Sequence, residues 1–249
     1  MPFTFSHPAA VLPFGYFPKR FFSMTALVIG SLAPDFEYFL RMRAVSYYSH
    51  TWAGLLWFDL PLTIILAFFY HEIVRDKLID NLPVFLTKRL LVFKSFNWTK
   101  NFKKNFFVVI ISAAIGIASH IIWDAFTHEK GRIGREISRF KEDLLIAGHH
   151  VLTYNVLQYG SSVLGGLVIL YALLKLPANK VFVRERSIFP FWLSVLVVIS
   201  VIVALRALLG SDLDEFRNMV VTIISGGFIG ILLTAIFFPS AAKKNEVRL

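Results

Sequence analysis

Residues 106–127 read FFVVIISAAIGIASHIIWDAFT, an apolar run with no Lys, Arg or Glu and a single Asp. About 20 mainly apolar residues suffice to cross the hydrocarbon of a bilayer, so this stretch predicts a transmembrane helix. Working outward, four further stretches qualify: 53–70, 160–176, 188–209 and 218–238. The first of these carries Asp59 and Pro61, and 160–176 is short and Gly-rich, which predicts tilted or partly buried helices. A sixth run, 21–33, is too short to span and ends at Pro34, so it reads as a re-entrant or interfacial segment against the bundle. The predicted fold class is all-α: a polytopic helical membrane protein of about five transmembrane helices plus that N-terminal segment. Residues 1–160 form the membrane domain that carries the candidate chemistry. Residues 161–249 add C-terminal spans without obvious chemistry, in one integrated bundle.

Composition supports a membrane protein over a soluble one. The 249 residues are 56% hydrophobic and only 17% charged, with a mean hydropathy of +0.64, where soluble domains carry about 25% charged residues. The net charge of +10 falls in short blocks between apolar runs, which reads as membrane topology and predicts no nucleic-acid partner. Alternating the loops puts 15 Lys and Arg on one side and 11 on the other. The richer side includes the eight cations of the loop 71–105, with its apolar and basic stretch LPVFLTKRLLVF, expected on the anionic inner leaflet. This predicts an integral inner (plasma) membrane protein with an extracytoplasmic N-terminus and a cytoplasmic C-terminus. The opening MPFTFSHPAAVLPFGYFPKR lacks the charged start and continuous apolar core of a signal peptide and is expected to be retained.

With no cysteine, thiolate metal sites and thiol nucleophiles are excluded, and any metal must be held by His, carboxylate, amide or backbone oxygen. In the span quoted above and the residue after it, His120, Asp124 and His128 recur every four residues. Each step advances about 40° around a helix, so all three share one stripe. Ionisable groups at that depth are costly and mark function by default; the alternative is a hydrogen-bonded polar seam between helices. Asp35 and Glu37 follow Pro34 in a predicted helix start, where a carboxylate is stabilised as an anion and is available to a metal or to proton transfer, or is simply a helix-start residue. His7 and His50 are predicted on the same outer side as His128. His149 and His150 lie just before the third span, where at most one can join the stripe if the backbone is helical. His71 falls at the opposite end of the first span and is left out. GxSxG, GxxxxGK[ST], HExxH and Rossmann glycine patterns are all missing from the sequence.

The segments MPFTFSHPAAVLP, TALVIGSLAPDFEYFL, SHTWAGLLWFDLPL, SHIIWDAFTH and LQYGSS resemble the bacterial membrane family labelled domain of unknown function 4184, over residues 1 to about 170. More distantly, an early His, a PD segment, an HT pair and a helical H-x3-D followed by another His are similar to the membrane-bound metal-dependent hydrolases. The same order is similar to the zinc-dependent phospholipase C and single-strand nuclease superfamily. That resemblance implies His7, Asp35, His50, His120, Asp124 and His128 as metal ligands. The soluble enzymes begin with a ligating Trp and end with H-x3-E. Here Met1 leads, and Thr153 and Tyr154 stand where that Glu would follow His149 or His150, so the ligand set of those enzymes is matched only in part.

Together these readings predict a divalent metal, zinc first, one to three ions, held among His7, Asp35, His50, His120, Asp124, His128, His149 and His150. Asp35, Asp124 and Glu37 are the carboxylates that could handle protons. The expected function is a membrane metal-dependent hydrolase, a phosphoesterase on a lipid or amphipathic substrate. The alternative is a non-enzymatic membrane protein, a metal or proton transporter or an assembly factor, that uses the His/Asp stripe as a relay or seam.

Overall fold

The computed structural model describes residues 4–127, 143–146, 148–180, 182, 184, 186–210 and 212–238. In chain order the helices are α1 (Met24–Leu32), α2 (Phe36–Arg41), α3 (Trp52–Gly54), α4 (Leu60–Phe68), α5 (Arg75–Asn81), α6 (Val84–Leu90), α7 (Trp98–Lys104), α8 (Phe106–Thr127), α9 (Thr153–Lys175), α10 (Phe189–Leu208) and α11 (Phe216–Phe237). Two π-helical stretches, Leu55–Asp59 and Phe69–Val74, join α3, α4 and α5 into one helix, Trp52–Asn81. Among the described residues, five helices are long and apolar enough to cross a membrane: Trp52–Asn81, α8, α9, α10 and α11. The first runs on well past residue 70, because RDKLIDN continues the helix until the Leu82–Pro83 break.

Among the described residues the fold departs from all-α in a short antiparallel hairpin, β1 (Asp143–Ile146) with β2 (His149–Leu152). Gly148 takes φ 83° at its turn, a conformation glycine adopts freely.

The described residues cluster into two compact units. The first comprises 1–41, 45–67 and 98–176. Its centre is the packing of α1 on α8. The predicted short N-terminal segment is here a nine-residue helix, capped by the Ser23 hydroxyl on the Ala26 N–H. It lies so close to α8 that a Cβ on Gly30 would stand 2.6 Å from the Ala113 carbonyl, and one on Gly116 2.3 Å from the Leu27 carbonyl. Small residues at such crossings let backbones approach, the main source of helix association where no water is available to be expelled. Ala33, Leu55, Ile117 and Ile121 close the core beside this crossing. The 3-10 segment Thr4–Ala10 packs along α9, with the Ser6 hydroxyl donating to the Ser162 carbonyl at 2.7 Å.

The second unit comprises the described residues among 42–44, 68–97 and 177–238. Here α10 and α11 form an antiparallel pair. Arg184 donates to the carbonyls of Asp80 and Leu82, and the Trp192 indole donates to the Asn81 carbonyl at 2.7 Å. His71 sits in this unit against Arg75, with 3.1 Å between its Nδ1 and Nη1 of the arginine.

Candidate metal centre

Three pieces of the first unit carry polar side chains inward. Pro34 opens the tight turn Ala33–Asp35, which follows α1 directly and leaves Asp35 1% exposed. On α8, His120 and Asp124 are one turn apart on the buried face, at 0% and 8% exposure. The loop between α2 and α3 brings in His50.

Glu37 shapes that loop. Its carboxylate accepts from the backbone N–H groups of Tyr47, Tyr48 and Ser49, each at 2.9 Å, and from the Ser46 hydroxyl, and it pairs with Arg41. Burial alone would raise its pKa, but the N–H groups of Ser49, Tyr47 and Tyr48 pull it down to about 2. Expected beside Asp35 as a proton-handling group, Glu37 instead commits both oxygens to holding the turn that presents His50.

Asp35, His50, His120 and Asp124 converge: one ligand atom from each lies within 4.8 Å of all the others. His50 Nε2 is 3.4 Å from Asp35 Oδ1 and 3.5 Å from Asp124 Oδ2; His120 Nε2 is 3.6 Å and 3.4 Å from the same two atoms. These separations are too long for good hydrogen bonds. Ligand atoms each about 2.0–2.1 Å from a tetrahedral ion would stand roughly 3.3–3.4 Å apart, close to what is observed. The Nε2 atoms of His7, His50 and His120 are buried without a hydrogen-bond partner, a costly arrangement unless something else occupies them. The donor set therefore fits a metal ion.

The outer contacts orient these donors. The Thr4 hydroxyl donates to Asp35 Oδ2 at 2.5 Å, and His120 Nδ1 lies 2.7 Å from the Ser31 carbonyl. His50 Nδ1 is 3.0 Å from the Ser49 hydroxyl. His7 stands beside the four: its ring stacks on His120 at 3.7 Å, and its Nε2 is 3.6 Å from Asp124 Oδ1.

Electrostatics separates the groups. Burial, with His120 adding, lowers the His7 imidazole to about 4. Burial works the same way on His50, but the carboxylates of Asp124 and Asp35 outweigh it and raise the ring to about 9. Burial opposes ionisation of Asp35, yet His120 and His50 hold its carboxyl well below the ordinary carboxylate range.

Of the residues read from the sequence, the structure brings Asp35, His50, His120 and Asp124 together, with His7 at their edge. His128 lies outside the described residues. His149 and His150 lie in β2 rather than on a helix, and the His150 side chain is exposed. Asp59 is a residue the sequence reading passed over as a chemical group. It is 0% exposed on a π-helical stretch, both its oxygens lack a hydrogen-bond partner, and it is within electrostatic reach of His50, His120 and Glu37. The signal was present: a lone carboxylate inside an apolar span.

The fold and the site define a helical membrane protein with a buried His/Asp cluster that could hold a metal ion. The chain belongs to the family described as Domain of unknown function (DUF4184), whose model matches residues 1–236. No curated protein and no solved structure matches the chain.

Proposed function

We propose that this protein is an integral membrane metal-dependent hydrolase, a phosphoesterase acting on a lipid or other amphipathic substrate. The reading is carried by one observation: two imidazoles and two carboxylates converge, with the Nε2 atoms of His50 and His120 buried and unpartnered. Nitrogen and oxygen donors without thiolate suit zinc. The Lys and Arg distribution supports an extracytoplasmic site in the plasma membrane.

When bound, such an ion polarises a phosphoryl oxygen and brings a bound water's pKa towards neutrality. The rest is done by the chain. Thr4 and the Ser31 carbonyl fix the orientations of Asp35 and His120. We assign proton transfer to Asp124, whose side chain is 11% exposed against 2% for Asp35, and whose Oδ2 stands by His50 and His120 while its Oδ1 is 3.6 Å from His7 Nε2.

Metal content by mass spectrometry on detergent-purified protein, beside a variant with His120→Ala and Asp124→Ala, is the direct test. One or more zinc per chain in the wild type, lost in the variant, is the expected result. Asp124→Asn should abolish metal-dependent release of phosphate or headgroup with the fold retained, and full activity in that variant would sink the assignment.

Asp59 favours a second reading, a proton or metal relay, because it is a buried carboxylate on a spanning helix within electrostatic reach of His50 and His120. Ion flux in proteoliposomes that is lost in Asp59→Asn would support the relay over the hydrolase.

A further inference from the structure

Beside the metal centre the first unit contains a cavity of about 160 Å³, between the segment Thr4–Ala10, α8 and α9. Its outer wall is a stripe of α9: Ser161, Leu164, Gly165 and Val168 recur at the i, i+3, i+4, i+7 spacing that lines one helix face, with Trp123 of α8 opposite. Leu164 is 62% exposed, and Trp123 and Val168 are partly exposed. Both helices are long and apolar enough to cross a membrane, so these are faces that such helices turn to hydrocarbon. The inner end is different in kind. It is closed by His7, 5% exposed, whose Nε2 has no hydrogen-bond partner and stands 3.6 Å from Asp124 Oδ1. Gly165 permits the closure, since a Cβ there would meet the Ser6 carbonyl at 2.8 Å.

We propose that this crevice seats the hydrocarbon chain of a membrane amphiphile, which enters sideways from the bilayer between α8 and α9 and delivers its phosphoester to the donors beyond His7. The inference rests on the phosphoesterase reading for its chemistry but not for its binding site. A chain that exchanges loose lipid contact for a walled slot gains close packing, and of the two buried polar residues that line it, Ser6 is committed to the Ser162 carbonyl while His7 stands beside Asp124 and marks where the chain must give way to a headgroup. The substrate class is then a long-chain phosphoester lipid, with the chain recognised by Trp123, Leu164 and Val168.

Two measurements on the full-length protein test it. The first uses a phospholipid bearing a diazirine on its acyl chain, in mixed micelles, with the crosslinked residues mapped by mass spectrometry. Labelling concentrated on Trp123, Ser161, Leu164, Gly165 and Val168 over the exposed Val163, Leu167 and Tyr171, and reduced at least about fivefold by Ala10→Trp, is expected. Equal labelling of both faces of α9, unaffected by Ala10→Trp, would overturn the crevice whatever the catalytic outcome. The second compares turnover of a long-chain phospholipid with that of a water-soluble nitrophenyl phosphoester. Leu164→Trp should lower the ratio of long-chain to soluble turnover by about tenfold, the scale on which apolar pockets discriminate, with metal content retained. An unchanged ratio overturns the proposal and leaves the hydrolase standing. Face-selective labelling with no turnover of either ester keeps the binding site and rejects the hydrolase.

Discussion

His120 donates its Nδ1 hydrogen to the carbonyl oxygen of Ser31 at 2.7 Å. A carbonyl can only accept, so this bond fixes the tautomer and leaves the Nε2 lone pair facing Asp35 and Asp124. His120→Gln removes that lone pair. Zinc affinity should fall by more than the roughly 10–100-fold that loss of an outer-shell partner costs. Competition with a chromophoric chelator measures it, and unchanged affinity would remove His120 from the centre.

Thr4 acts through Asp35, donating to the oxygen that does not face the imidazoles. Thr4→Val should weaken zinc binding by about 10–100-fold, while Thr4→Ser, which keeps the hydroxyl, should lie near the wild type. Equal affinities for the two variants would show that the hydroxyl does not position the carboxylate.

The α1–α8 crossing predicts a sharp steric effect. Gly30→Ala or Gly116→Ala would push a methyl against backbone carbonyl oxygens at 2.6 or 2.3 Å. Each should destabilise the protein by about 1–3 kcal/mol in thermal or denaturant unfolding and weaken zinc binding by shifting Ser31 relative to His120. Gly166→Ala on α9 has nothing within 4 Å and is the control, expected to be neutral or mildly stabilising. A neutral Gly116→Ala would mean that the two helices are not packed this closely.

Glu37 gives a pH signature. Its carboxyl is lowered from the ordinary 4.5 to about 2 in the folded protein, so its stabilisation is fully present above 4.5 and is lost as the pH falls towards 2. Glu37→Gln should be less stable at neutral pH, and its unfolding midpoint should vary less than the wild type's between pH 4.5 and 2. Parallel pH profiles would assign the loop's anchorage elsewhere.

Much of this was legible in the sequence, for reasons particular to each residue. His120 and Asp124 stand out because four-residue spacing on a strongly apolar helix has a single geometric meaning. The five spans stand out through length and hydropathy. Asp35, His50 and His7 share no periodicity with α8 and are linked to it only by tertiary folding, so resemblance and topology pointed to them where spacing could not. The role of Glu37 depends on three backbone N–H groups in 47–49 whose orientation no side-chain pattern encodes. The hairpin around His149 and His150 was hidden because Gly148 and a short apolar run suit a helix end as readily as a turn.

Orientation in the membrane can be read directly, since the chain has no native cysteine. Tyr16→Cys, at a residue 93% exposed, should react with a membrane-impermeant maleimide in intact cells, whereas Ser187→Cys should react only after lysis. The opposite pattern would invert the expected topology and put the centre on the cytoplasmic side.

The contact between Ser31 and His120 joins residues 89 positions apart. During synthesis the early segment must therefore wait, with its aspartate and histidine lacking their partners, until α8 has been threaded into the bilayer and docked. On the proposed metal-binding reading, an ion arriving before α8 would find only Asp35 and His50, half of the converging set.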